Sequence, residues 1–254
     1  MNIDIVGYIL KSREYLKKLL ADEWDTSVIQ DYSKNELEKI YNLNTPKSSN
    51  ISSFGHASGC NLTLNHKHIP SHKLHVIYYN FPELGRNIPK ITKQCGDKLV
   101  SLYTDNIIEN EDSILFITID RLTDNIEKTI STINIQFQES LKKTGLPDKI
   151  IQENTSKKIP FQYSLSHFKK IHIFHIYSLS IDLRNHICVP KHICIRDKKE
   201  INNLLKDTNT TLKQLPVIKQ NDIQAKLMRL SPGDLCKIIR KSTIGELVTY
   251  RICQ

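Results

Sequence analysis

Residues 232–254 read PGDLCKIIRKSTIGELVTYRICQ. The stretch opens with turn chemistry: Gly233 can take a positive φ at little cost, and Asp234 can bond its own backbone. Two apolar, β-rich runs follow, Leu235–Arg240 and Leu247–Ile252, joined through Ser242–Gly245. That pattern predicts a hairpin, with the turn setting the register of Leu235. Period-two alternation puts Lys237 and Ile239 on one face and Ile238 and Arg240 on the other. Basic groups beside an apolar strand suit an anchor on a large acidic partner, because Arg forms bidentate carboxylate pairs. A solvated strand has the same pattern. Near the end of the second strand, Tyr250 reads as core and Arg251 as a binding residue.

Upstream, short elements succeed one another: a strand around Ile193, a helix over Lys198–Leu205, a turn at Gln214–Pro216 and a short helix over Asp222–Leu230. Pro190 and Pro216 each fix φ and remove a backbone donor, so both read as structural. Together these elements predict a compact α+β module over 183–254. It is also the basic part of the chain. Leu179–Gln254 holds 14 Lys and Arg against 7 Asp and Glu, whereas the remainder holds 22 against 20. A concentrated positive field suits nucleic acid or an acidic protein.

The first 182 residues have another rhythm. Ile5, Tyr8, Ile9, Leu16, Leu19 and Leu20 predict an amphipathic helix. Ser33 and Glu36 have capping-box spacing and start a second helix. Leu74–Phe81, Ser113–Ile119 and Ile171–Leu179 read as strands, the middle one covered on both faces. A weak helix over Lys90–Leu102 and a strong one over Thr123–Lys143 lie between them, the latter ended by Gly145 and Pro147. Alternation of this kind predicts an α/β layer with crossover helices. Residues 42–71 and 148–158 read as long loops.

The C-terminal module resembles the fifth shared subunit of eukaryotic-type DNA-directed RNA polymerases and its archaeal counterpart. The matching residues run in order: Val189-Pro190-Lys191-His192, Gln214-Leu215-Pro216, Asp222, Ala225, Pro232-Gly233-Asp234, Lys237–Ser242, Gly245 and Thr249-Tyr250-Arg251. Ile223 departs from the family's usual proline. The resemblance implies an α+β protein with an N-terminal jaw domain over 1–182 and an assembly domain over 183–254. It also implies a non-catalytic subunit that docks on the largest polymerase subunit beside downstream duplex DNA. On that reading the interface residues are Pro190, His192, Pro216, Lys237, Arg240, Lys241 and Arg251. Arg121 and Thr123, in the loop before the long helix, are the DNA-contact candidates, since a basic side chain at a helix N-terminus favours phosphate. The implied location is the nucleus for a cellular source, or a cytoplasmic replication site or virion for a large DNA virus.

Enzymatic alternatives find less support. No phosphate-cradling GxGxxG or GxxxxGK[ST] motif occurs, and no Ser or Cys nucleophile signature. His56, Cys60, His66, His68, His72 and His75 form a histidine-rich stretch, but the spacing fits no standard zinc pattern. The six cysteines contain no CxxC pair and read as reduced thiols. No cofactor is expected. The second reading is a divergent α/β nuclease or nucleic-acid-binding protein.

Overall fold

The computed structural model describes residues 4–42, 56–156, 161–243 and 245–254. The chain forms two compact units, one of residues 1–153 and 168–181, the other of 154–167 and 182–254. Both helices and sheets are present in each, so the fold is α+β.

Unit one is built on a four-stranded sheet, β1 (Leu62–Asn65), β2 (Lys73–Tyr79), β3 (Ser113–Thr118) and β4 (Ile171–His175), in that spatial order. The pairings β2–β3 and β3–β4 are parallel, while β1 pairs antiparallel to β2. Parallel neighbours need crossovers, and α3 (Gln94–Thr104) and α4 (Asp124–Thr144) supply them. Both helices cover one face: Leu99, Leu102, Ile126, Ile130, Ile133 and Phe137 pack with Ile77, Phe116 and Ile173. Gly96 lets them approach, since a Cβ there would lie 2.9 Å from the Thr129 methyl.

The alternate strand residues Val76, Tyr78, Leu115, Ile117 and Phe174 are buried as well. One contact on that side comes from α1 (Ile5–Leu19), whose Ser12 hydroxyl lies 2.9 Å from the Tyr78 hydroxyl. A second helix, α2 (Lys34–Asn42), starts with the expected box: Ser33 N–H donates to Glu36, and Glu36 N–H to Ser33 Oγ. Its Tyr41 hydroxyl donates to the Pro82 carbonyl. At the far edge of the sheet, the Asn134 side chain from α4 takes the Ile171 backbone at both ends: its amide donates to Ile171 O and its carbonyl accepts from Ile171 N–H, each at 2.9 Å.

Unit two carries a second four-stranded sheet. Its strands are β5 (Lys191–Ile195), β6 (Val217–Ile218), β7 (Leu235–Ser242) and β8 (Gly245–Cys253), in spatial order β5-β7-β8-β6. Strands β7 and β8 are the expected hairpin, registered from Leu235↔Ile252 to Ser242↔Gly245. Helix α6 (Lys198–Asp207) puts Ile201 in a cluster with Ile195, Leu235 and Ile252. Helix α7 (Ile223–Leu227) contributes Ala225 to a cluster with Cys236, Ile238 and Cys253.

Several expectations need correction. The loop expected over 42–71 contains a 3-10 turn (His56–Cys60) and β1, where Leu64 is fully buried between the more exposed Thr63 and Asn65. Residues 43–55 lie outside the described residues. The segment 148–158 holds α5 (Asp148–Asn154), a seven-residue helix that buries Ile150 alone and so has almost no apolar period to read. The strand expected to run to Leu179 stops at His175. Ile176 and Leu179 are both buried, and their i, i+3 spacing belongs to the 3-10 turn Ile176–Leu179. Helix α7 ends early because Arg229 takes φ +52 and Leu230 N–H reaches back to Ala225 O, a closing turn usually built on Gly.

Candidate subunit interface

Turn and strand chemistry build this region from Pro232 onward. Gly233 sits at φ +95, as the turn requires. Asp234 accepts Ser231 N–H at 2.9 Å, the backbone bond expected of it. The same carboxylate oxygen also lies 3.1 Å from His167 Nε2 and 3.3 Å from Arg196 Nε, in a pocket that leaves each side chain under a tenth exposed. Arg196 continues to the carbonyls of Met228 and Arg229 at 3.0 and 3.3 Å, and Ser231 Oγ donates to Ser166 O. One carboxylate therefore ties the start of β7 to the end of β5, to the exit of α7 and to the segment around His167. Burial pushes the Asp234 carboxyl up, but the His167 hydrogen bond and charge, Arg196 and the Ser231 N–H outweigh it, and the net pKa is lowered. Burial pushes the nearby Arg229 guanidinium down, and the charge of Arg196 adds to the effect.

The sheet then sorts the expected interface residues by face. Register places Lys191, Lys237, Lys241, Val248 and Tyr250 on one side, and His192, Arg240, Leu247, Thr249 and Arg251 on the other. Lys237 thus does not share a face with Arg240 and Arg251. Arg240 and Lys241 are exposed near the hairpin tip, while Lys237 and Arg251 are half-buried. Arg251 Nη1 donates to Val217 O at 3.4 Å, close to the limit of a hydrogen bond. Tyr250 packs against the Leu235 cluster, as core. His192 lies 2.6 Å from the Pro190 carbonyl through Nδ1, so these two residues brace one another at the start of β5. Pro216 is exposed, and its carbonyl accepts Ile252 N–H, which holds β6 against β8.

Sequence reasoning missed two features. The Asp234 cluster joins residues up to 67 positions apart, and no local pattern announces His167 as its partner. The other is the apolar surface of the hairpin. Leu247 is 54% and Val248 39% exposed, though both lie in a strand whose far end is buried. An apolar strand residue gives no local sign that it will be left in water.

In unit one, the loop after β3 has Asp120 turned onto backbone: its oxygens accept from Ile91 N–H and Arg121 N–H, both at 2.9 Å. Arg121 and Thr123 are exposed, and Thr123 caps α4 through its extended backbone without a side-chain hydrogen bond. The DNA-contact candidates therefore share one exposed loop at a helix start, separate in sequence and unit from the hairpin set.

The histidine-rich stretch is aromatic packing. The His66 and His72 rings stack at 5.9 Å, and Trp24 lies edge-on to both. His66 Nδ1 accepts from the N–H groups of His68 and Ile69, His72 bonds Ser113, and His75 bonds Asp112 and Thr63. Among the described residues no three His, Cys, Asp or Glu side chains are grouped to hold a metal ion. No described helix is long and apolar enough to cross a membrane.

Residues 181–253 match the family model described as RNA polymerase Rpb5, C-terminal domain. The chain is 44% identical over 75 residues to the DNA-directed RNA polymerase subunit Rpo5 of Archaeoglobus fulgidus, covering 29% of this chain and 97% of that protein. It is 44% identical over 72 residues to the Rpo5 of Sulfolobus acidocaldarius, covering 28% of this chain and 84% of that protein. A longer match, 37% identical over 111 residues, is to the subunit rpabc1 of RNA polymerases I, II and III of Dictyostelium discoideum, covering 41% of this chain and 54% of that protein. That match exceeds the stretch 181–253, so it takes in residues outside the module. With residues 181–253 matching the family model and 97% of an archaeal relative covered at 44% identity, the chain belongs to the Rpb5/Rpo5 family of DNA-directed RNA polymerase subunits.

Proposed function

We propose that this protein is a non-catalytic subunit of a multisubunit DNA-dependent RNA polymerase. On this reading residues 183–254 dock on the largest subunit, and residues 1–182 form a jaw beside downstream duplex DNA. The observation that carries the reading is the match of residues 181–253 to the Rpb5 C-terminal domain, with 97% of an archaeal Rpo5 covered by this chain. Two features of that unit support docking. The hairpin tip is an exposed surface with an apolar and a basic residue on each face, Leu247 with Arg240 on one and Val248 with Lys241 on the other. The Asp234 cluster holds the strands that present it, so the surface is formed before any partner arrives. The exposed Arg121 loop supports a sequence-independent phosphate contact in the jaw. The location follows the source: the nucleus for a cell, a cytoplasmic replication site or the particle for a virus.

Affinity purification of the tagged chain from its natural source tests this. The two largest polymerase subunits should be recovered at near-equal amounts; their absence would sink the proposal. The two faces of the hairpin then separate the docking side. Arg240→Glu with Arg251→Glu should weaken incorporation by about 2–5 kcal/mol if that face is buried against acidic groups. Lys237→Glu reads the opposite face. Normal recovery with both changes would remove these charges from the interface.

A further inference from the structure

Three of the six cysteines converge on one face of the second sheet. Cys194 (β5), Cys236 (β7) and Cys253 (β8) belong to or pack against a single apolar cluster. None of the three is in a disulfide, with Cys236 and Cys253 buried and Cys194 partly exposed. Cys194 and Cys236 are direct cross-strand partners.

The ladder specifies what kind of partners they are. Cys253 N–H donates to Asp234 O, so β7 turns the backbone groups of Asp234 and every second residue after it towards β8. Ile252 N–H instead donates away from β7, to Pro216 O, which agrees with that phase. Leu235, Lys237 and Ile239 therefore direct their backbone groups to β5, and Cys236 faces Cys194 as a non-hydrogen-bonded pair. Such pairs have Cα atoms about 4.5 Å apart with side chains drawn together. That lies at the short end of the roughly 4.4–6.8 Å that a disulfide spans. The side chains share a face, so the register sets the two sulfurs on the same side of the sheet.

We propose that Cys194 and Cys236 form a redox-sensitive latch that closes β5 onto β7. The oxidant is a small-molecule disulfide such as glutathione disulfide. Cys194, the more exposed thiol, loses its proton and attacks one glutathione sulfur, expelling the other glutathione as thiolate. Cys236 then loses its proton and attacks Cys194 Sγ, expelling the second glutathione. Two protein thiols become one disulfide, one glutathione disulfide becomes two glutathione thiols, and the two protons end on those thiols. The second step is intramolecular, so the burial of Cys236 does not bar it.

The latch is slow in both directions. Burial pushes the Cys236 thiol up to about 12 and the Cys194 thiol higher still, with nearby Asp222 and Asp234 acting in the same sense. Thiolate is scarce, and each sulfur is a poor leaving group once the bond exists. The consequence is a long-lived crosslink on the edge strand that follows Pro190 and contains His192, rather than a rapid sensor.

The test is incubation of the folded full chain with glutathione disulfide, alkylation of free thiols, digestion and mass spectrometry. The expected product has lost two hydrogens and joins the Cys194 and Cys236 peptides, with its urea unfolding midpoint shifted upward. Cys194→Ser and Cys236→Ser should each abolish the product, and Cys253→Ser should leave it. Peptide mapping of the wild type decides the matter even if a variant fails to fold. Glutathione adducts confined to Cys188, a different linked pair, or a lowered urea midpoint would overturn the latch.

Discussion

Strands β3 and β8 are both rich in apolar residues, yet water treats them differently. All six residues of β3 are buried. In β8 the first four of nine are exposed, and burial begins only towards Ile252. The sheet of unit one is covered on both faces, so its apolar code is spent within the unit. The hairpin of unit two carries apolar code that its own unit does not consume. A strand stabilised at one end and wet at the other suits a surface made for something else, which is why the docking proposal rests on unit two.

Four substitutions break or sharpen that contrast. The largest loss is expected at the centre of the covered sheet. Phe116 is fully buried between α3, α4 and its neighbouring strands, so Phe116→Ala should cost about 3–5 kcal/mol in urea unfolding of the full chain. A loss below about 1 kcal/mol would mean that the site collapses readily or is less covered than described.

Next comes the charged tie of unit two. Asp234→Asn keeps an acceptor but removes the charge that Arg196 and His167 face, and should cost about 1.5–3 kcal/mol. The sign of its pH dependence follows from the depressed carboxyl. Its contribution is present above the ordinary Asp range and is lost as pH falls through the lowered folded value. Acid should therefore erode the wild type from about pH 4 downward, and the wild type more than Asp234→Asn. Parallel acid curves for the two would remove Asp234 from the account.

The third change probes the wet end. Leu247→Ala should alter stability by no more than about 0.5 kcal/mol, because the side chain is largely hydrated already. Recovery of polymerase subunits with the tagged variant should nonetheless fall. A variant that loses stability and keeps its partners would reverse the proposed roles of the two strand ends. The smallest effect is expected at Arg121→Glu. Thermal unfolding should not move, while the salt dependence of DNA binding by the assembled polymerase should drop by about one unit of slope for each phosphate that is no longer neutralised. An unchanged slope would detach that loop from DNA.

Legibility in the sequence followed the length of each period. Helix α4 places Ile126, Ile130, Ile133, Phe137 and Leu141 at spacings of three and four, and its bounds could be read almost to the residue. β3 was equally plain, because six apolar or small residues in a row leave a strand buried on both faces as the simplest reading. Elements with one buried residue could not be read this way: Leu64 in β1 and Ile150 in α5 make no repeat. β6 has two residues and exists because β8 is there to pair with it. In the candidate interface, alternation correctly separated Lys237 from Arg240. What it could not supply was the register of β8, which sets Arg251 on the Arg240 face, or the long-range meeting of His167, Arg196 and Asp234. Those depend on which segments meet, and that is decided by packing rather than by neighbours in sequence.

The side chain of Asn134 has a consequence for solubility. A terminal strand offers unsatisfied backbone groups onto which another chain can crystallise, strand by strand. By occupying both groups of Ile171, the Asn134 carboxamide mimics the strand that would come next and ends the series at β4. Filament growth from that edge would first have to strip away a plug that is already better placed than any newcomer.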